Sequence, residues 1–325
     1  MKMVRNTKQF MKNIIMKSFF YIILTLSLLL TSCSKKSEQK EEFPATKQTK
    51  TIGVSLLTRA HIFYKDLEEG LIAEAKKNGY ELIITSAEFD LGKQMSQIED
   101  FITRKVDAIV LCPVDSRGIG EGVKKANIAK IPVFTADIAS DGGDVVSHIA
   151  SDNIAGGRLA GEYLAKFLNG KGSIAIIDQP TVTSVLDRVK GFKEALSKFP
   201  DIKIVSDVNG DGVRDRAMQV AADILQAHPK LEGIFGINDD SALGALDAAM
   251  QFNRKNIAII GYDATDPARD AILKGTPLKA DVIQYPKLIG STTVAKIAEY
   301  FAGTTIPKIV PVEVGIVDKE ALEKK

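Results

Sequence analysis

GIFGINDDSALGALDAAMQFNRKNIAIIGYD, residues 233–263, decides the fold. Gly233 to Ile237 is a short, continuous apolar run, which suits a strand buried on both faces. Asn238-Asp239 interrupts it. From Ser241 to Phe252 apolar residues recur at helical spacing, and Ile257 to Ile260 is a second apolar run ending just before Asp263. Strand, helix and strand in that order make a βαβ unit, whose strands run parallel beneath covering helices.

The alternation extends upstream. Strands are predicted over Ile52 to Leu57, Glu81 to Thr85, Ala108 to Leu111 and Ile131 to Thr135, the last ending just before Asp137. Between them lie helical stretches: Tyr64 to Asn78, stopped by Gly79; Lys93 to Arg104; and Gly120 to Ala129. The pattern then repeats. Helices over Ile154 to Leu168, Arg188 to Lys198 and Arg216 to Ala227 alternate with strands Ser173 to Ile177 and Ile202 to Ser206. Two βα arrays of similar length imply an α/β protein of two doubly wound, parallel-sheet (Rossmann-like) domains, related as an internal repeat.

The start of the chain is different. Residues 1–32 hold five bases and no acid, and an apolar run from Phe19 to Leu30 leads to Leu30-Thr31-Ser32-Cys33. That run is short for a bilayer span, which takes about 20 residues. Residues 1–33 therefore read as a lipoprotein signal peptide with Cys33 as the lipidated N-terminus after cleavage. Residues 34–50 are polar and charged and read as a flexible tether. The expected location is the cell envelope, lipid-anchored and facing the periplasm or exterior. Cys112 is the only other cysteine, so a disulfide-stapled fold is excluded, and it reads as a buried strand thiol. Beyond residue 32 there are 38 basic and 41 acidic residues, with no basic cluster to hold nucleic acid.

Ligands of doubly wound sheets bind beyond the carboxyl ends of the strands. The residues there are His61, Phe63, Tyr64, Asp115, Asp137, Thr181, Asn238, Asp239 and Asp263. They are polar and aromatic, without a nucleophile paired to a base. GxGxxG, GxxxxGK[ST] and HExxH patterns are missing, and Gly118-Ile119-Gly120-Glu121-Gly122 reads as a turn into a helix. Asp207-Val208-Asn209-Gly210-Asp211-Gly212 begins like a calcium loop through Asp207, Asn209 and Asp211, but Met218 stands where the bidentate Glu belongs. A polar turn is the expectation there, with no cofactor.

Several of these stretches resemble a known family. They include Thr51-Ile52-Gly53-Val54 before Phe63-Tyr64, Val145 to Asn153 with Gly156-Gly157, Arg188-Val189-Lys190-Gly191-Phe192, Asn238-Asp239 with Ala242 to Ala245, and Gly261-Tyr262-Asp263. From Thr51 to about Val317 the chain is similar to ribose-type sugar-binding proteins of ABC importers, of the type I periplasmic binding protein fold. It also resembles the effector domains of sugar-responsive repressors, but carries an export signal and no DNA-binding head.

The resemblance implies two domains joined by a hinge. The first takes residues 51–151 plus 285–313, the second 152–284 plus 314–325. It implies that Phe63 and Tyr64 stack on a sugar ring while Asp137, Arg188, Asn238, Asp263 and Gln284 hydrogen-bond its hydroxyls. His61 stands where ribose binders carry Asn, Ile138 where they carry Arg, and Gly212-Val213 where they carry an aromatic. These departures point to a ligand other than ribose, with a loss of bulk opposite Phe63 and Tyr64.

Each residue also has a structural reading. Asp137, Asn238 and Asp263 suit helix caps, Arg188 a pair with Asp187, and Phe63 and Tyr64 the core. The implied role is a monomeric receptor without catalysis, delivering a small sugar to a membrane permease. The alternative is presentation of the sugar to a chemoreceptor or sensor kinase.

Overall fold

The structure, a computed structural model, describes residues 49–324. The proposed signal peptide, Cys33 and the tether up to residue 48 lie outside the described residues. Twelve strands and ten helices follow among those described. The first lobe begins with β1 (Thr51–Leu56), α1 (Ile62–Asn78), β2 (Glu81–Ser86), α2 (Leu91–Thr103), β3 (Ala108–Leu111), α3 (Gly120–Ile128), β4 (Val133–Ala136) and β5 (Ser147–Ser151). The second holds α4 (Asn153–Phe167), β6 (Lys171–Asp178), α5 (Thr183–Leu196), β7 (Asp201–Asn209), α6 (Arg214–Ala227), β8 (Gly233–Gly236), α7 (Asp239–Gln251), β9 (Ala258–Asp263), α8 (Asp266–Leu273) and β10 (Leu278–Ile283). The chain then returns through α9 (Pro286–Phe301) and β11 (Ile309–Val312), and ends with β12 (Gly315–Asp318) and α10 (Lys319–Glu323).

Each lobe is built on one six-stranded sheet. The orders are β11-β5-β4-β3-β1-β2 and β12-β10-β9-β8-β6-β7. All pairings are parallel except β10 with β12. The strand order reverses between β1 and β3 in one sheet and between β6 and β8 in the other. Those reversals open the crevices where such sheets take ligands. The chain passes between sheets three times: after β5, after β10 and after β11.

The apolar-run reading stops at Asp263, whereas the structure adds six elements, from α8 to α10. β11 and β12 are four-residue edge strands without a continuous buried run. Pro311 is tolerated in β11 because that strand pairs only with β5.

Two helix pairs set the width of the lobes, and glycines set the helix spacing. In α4 and α5, a Cβ on Gly157 would overlap the Arg188 carbonyl, and one on Gly191 the Ile154 carbonyl. In α1 and α9, Gly70 and Gly290 meet Lys287 and Leu67 in the same reciprocal way. Beneath α5, the Phe192 ring stacks on Phe235 of β8 at 4.4 Å. Burying each ring contributes about 2 kcal/mol.

Candidate functional site

The ends of β1, β4, β6, β8, β9 and β10 converge on one cavity, whose empty space together with its opening to solvent is about 410 Å³. All eight residues expected to contact the sugar, the seven implied by the resemblance and His61, line it: His61, Phe63, Tyr64 and Asp137 from the first lobe, Arg188, Asn238 and Asp263 from the second, and Gln284 at a crossing. Leu57, Phe89, Ile138, Gln179, Val182, Ser184, Val185 and Ile237 complete the wall. Asp115 and Thr181 lie elsewhere. Asp115 accepts the Arg117 and Gly118 N–H groups of its own turn, and the Thr181 carbonyl accepts the Ser116 N–H across the lobes.

The aspartates are held by unusual backbone. Asp137, just after β4, has φ 66°, and Asp263, at the end of β9, has φ 123°. A side-chain-bearing residue at positive φ is strained, and such strain gathers at functional positions. Asp137 Oδ2 accepts the Tyr64 hydroxyl at 2.7 Å, while its Oδ1 is buried without a partner among the described residues. Burial pushes the Asp137 carboxyl up, opposed by the Arg188 charge and the Tyr64 bond. Asp263 accepts the Gln284 amide at 2.6 Å and the Asp239 N–H at 3.3 Å, and Gln284 Oε1 is buried without a partner.

Arg188 does not pair with Asp187. Its Nε donates to Asn153 Oδ1 and its Nη1 to the Ile237 carbonyl, both at 2.8 Å. The guanidinium lies 3.9 Å from the centre of the Tyr262 ring. That clamp fixes a buried cation between Asp137 and Asp263. Asn238 does cap α7, accepting the Ser241 N–H at 2.8 Å, and its amide also donates to the Gly212 carbonyl at 3.0 Å.

Behind Asp263 lies a buried acid group. Asp239 accepts from the Thr265 N–H and hydroxyl, and Asp281 accepts the Ala264 N–H at 3.0 Å. Burial, and then the neighbouring Asp239, hold the Asp281 carboxyl well above its ordinary range.

His61 bridges the lobes at the cavity rim. Its Nε2 stands 3.3 Å from Asp240 Oδ2 of α7, and Phe89 meets its ring edge-on at 5.3 Å. Burial lowers the His61 pKa, against the pull of Asp240 and the Gly212 carbonyl.

Ile138 is buried in the wall, so an apolar group occupies that place. The expected loss of bulk at Gly212-Val213 needs correction. The space over Gly212 is taken by the Gln179 side chain, whose Oε1 a Cβ on Gly212 would overlap. The calcium-like run also differs from a loop. β7 takes in Asp207 to Asn209, Asp207 pairs with Lys193 at 2.8 Å, and Asn209 bonds Asp211. Cys112 is buried and free just past β3.

Two parallel-sheet lobes, three crossings and one polar and aromatic cavity at both switch points define a two-lobed receptor for a small molecule. The comparisons agree. A model described as a periplasmic binding protein domain matches residues 52–305. The ribose import binding protein RbsB of Bacillus subtilis is 35% identical over 299 residues, which cover 91% of this chain and 97% of that protein. A crystal structure of an ABC transporter solute binding protein from Mycobacterium smegmatis, with bound glycerol, superposes with a TM-score of 0.81 at 33% identity, covering 85% of this chain and 96% of that one. A solute binding protein from Bacillus halodurans, with bound myo-inositol, gives 0.79 at 29% identity, covering 85% and 96%. The chain belongs to the periplasmic binding protein family, whose members work outside the cytoplasm.

Proposed function

We propose that this protein captures a neutral polyhydroxylated molecule, a monosaccharide or polyol, between its lobes and delivers it unchanged to an ABC permease. One observation carries the reading. The cavity wall combines aromatic rings with two buried acceptors, Asp137 Oδ1 and Gln284 Oε1, that have no partner in the described protein. A buried acceptor left unpaired costs about 1–3 kcal/mol, so the site favours an occupant rich in hydroxyl donors. Such an occupant also presents C–H faces to Phe63, Tyr64 and Phe89. Arg188, with Nε and Nη1 already engaged, keeps Nη2 for an acceptor on the same molecule. Sugars and polyols in the relatives' names support this class.

No bond need be broken. Binding by closure requires two lobes that meet, and the Ser116 and Thr183 contacts supply the meeting edge. We also propose that Cys33 carries the lipid that holds the receptor at the membrane. Apolar Ile138 in the wall favours a ligand other than ribose.

The test is a thermal-shift and calorimetric panel on the mature protein, with ribose, xylitol, D-allose and myo-inositol. A ligand that binds only the folded state raises Tm by mass action. At least one of the four is expected to do so and to be recovered unaltered. Binding of none, or chemical conversion of one, would sink the reading. Ribose as the tightest ligand would remove the ribose exclusion alone. The mass of the mature N-terminal peptide reports the lipid on Cys33 directly, and an unmodified cysteine would remove the anchor.

A further inference from the structure

We propose that Gln179 is a specificity-determining residue of this cavity, reading a hydroxyl on the part of the ligand that faces the second lobe. The inference rests on the sugar or polyol reading above and adds a residue to it. Gln179 is the first residue after β6, at the point where the second sheet reverses its strand order. A side chain there reaches the ligand crevice by topology alone. Its side chain lines the cavity.

The amide is uncommitted. The backbone N–H of Gln179 is tied to Asp178 Oδ1 at 2.7 Å, but the side-chain oxygen and nitrogen make no hydrogen bond among the described residues. Three of the other polar side chains of the wall are held mainly by bonds within the protein. Asn238 holds Ser241 and Gly212, Arg188 holds Asn153 and Ile237, and Asp263 holds Gln284. Those bonds fix the site and leave Asp137 Oδ1, Gln284 Oε1 and Arg188 Nη2 for the ligand, and Gln179 adds a whole amide to that set.

Gly212 makes room for it. Gly212 has φ 67°, and a Cβ there would overlap Gln179 Oε1. Gln179 shares the cavity wall with Val182, Val185 and Ile138, which cannot bond a hydroxyl. One neutral group that both donates and accepts matches a hydroxyl and rejects a bare carbon or a charge.

The experiment titrates the mature wild-type protein, Gln179→Leu and Gln179→Ala with ribose, xylitol, D-allose and myo-inositol. The expected result for Gln179→Leu is about a tenfold weaker Kd for the ligand that wild type prefers, with a smaller change for the second-best. Tm without ligand should stay constant. Gly212→Ala should weaken that preferred ligand more in wild type than beside Gln179→Ala, because the backbone strain is common to both and only the overlap differs. Unchanged affinity, or an equal loss for every sugar, would overturn the proposal. Failure of wild type to bind any of the four would instead overturn the parent reading.

Discussion

His148 shows at one residue how burial becomes a pH dependence. It lies in β5 with Nδ1 2.9 Å from the Thr135 hydroxyl, and burial pushes its pKa down from 6.5 to about 4. The native imidazole is neutral and the unfolded one is not. This contribution is therefore complete above pH 6.5 and is lost as pH falls towards 4, reaching about 3 kcal/mol. Asp281 has the opposite sign, because its raised pKa makes the native state hold a proton that the unfolded chain releases. In His148→Gln the acid-labile part is gone. The Tm of the variant minus that of wild type should rise as pH falls from 7 to 4.5, and a constant gap would refute the burial account. Seven of the eight residues expected in the site were legible because each follows a predicted strand or sits in a quoted stretch, whereas Gln284 follows β10, a strand that the sequence reading lacks, and came from the resemblance alone. Gln179 escapes the sequence reading, since the apolar run ends at Ile177 while the strand runs on to Asp178. Phe89 was hidden in another way. It follows Glu88 in two successive left-handed residues, φ 52° and 62°, which no propensity scale suggests for a phenylalanine.

At the scale of elements, the contact between α4 and α5 carries both stability and site geometry. Gly157 and Gly191 let the two backbones touch, and Arg188 sits on that contact. Gly157→Ala must push the helices apart, at a cost of about 1–3 kcal/mol. The shift also moves the guanidinium away from Asn153 and Ile237. Chemical denaturation should show the loss of stability, and titration with the preferred sugar a parallel loss of affinity. Loss of stability with full affinity would mean that Arg188 is held by its hydrogen bonds alone. Most βα elements up to Asp263 were legible because their strands are apolar runs; β5, SHIAS, is buried but too polar to read as one. β11 and β12 were not, because half-exposed four-residue edges leave no periodicity.

Closure belongs to the whole molecule. Between the lobes, the Thr183 N–H donates to Ser116 Oγ at 3.0 Å and the Ala139 N–H to Thr183 Oγ1 at 3.1 Å. Thr183 is outside the cavity wall, so its hydroxyl favours the closed form without touching ligand. Thr183→Val removes that acceptor at near-constant volume. Kd should rise about fivefold for every sugar that binds, the scale of one hydrogen bond. Small-angle scattering should show a larger open fraction. An unchanged Kd would show that the lobes meet without help from this pair.

The three crossings also set an order of completion during synthesis. The lobe that emerges first is finished last. β5 gains its edge partner β11, and α1 its cover α9, only from residues 286–312. The bond from Ser147 Oγ to the Pro307 carbonyl spans 160 positions. The second lobe meanwhile lacks only β12 and α10. A chain stopped near residue 284 would hold one nearly complete lobe and one with a bare parallel edge and an uncovered helix. Unpaired edges of that kind recruit other chains, so premature release of this polypeptide favours aggregation through its earliest-made half.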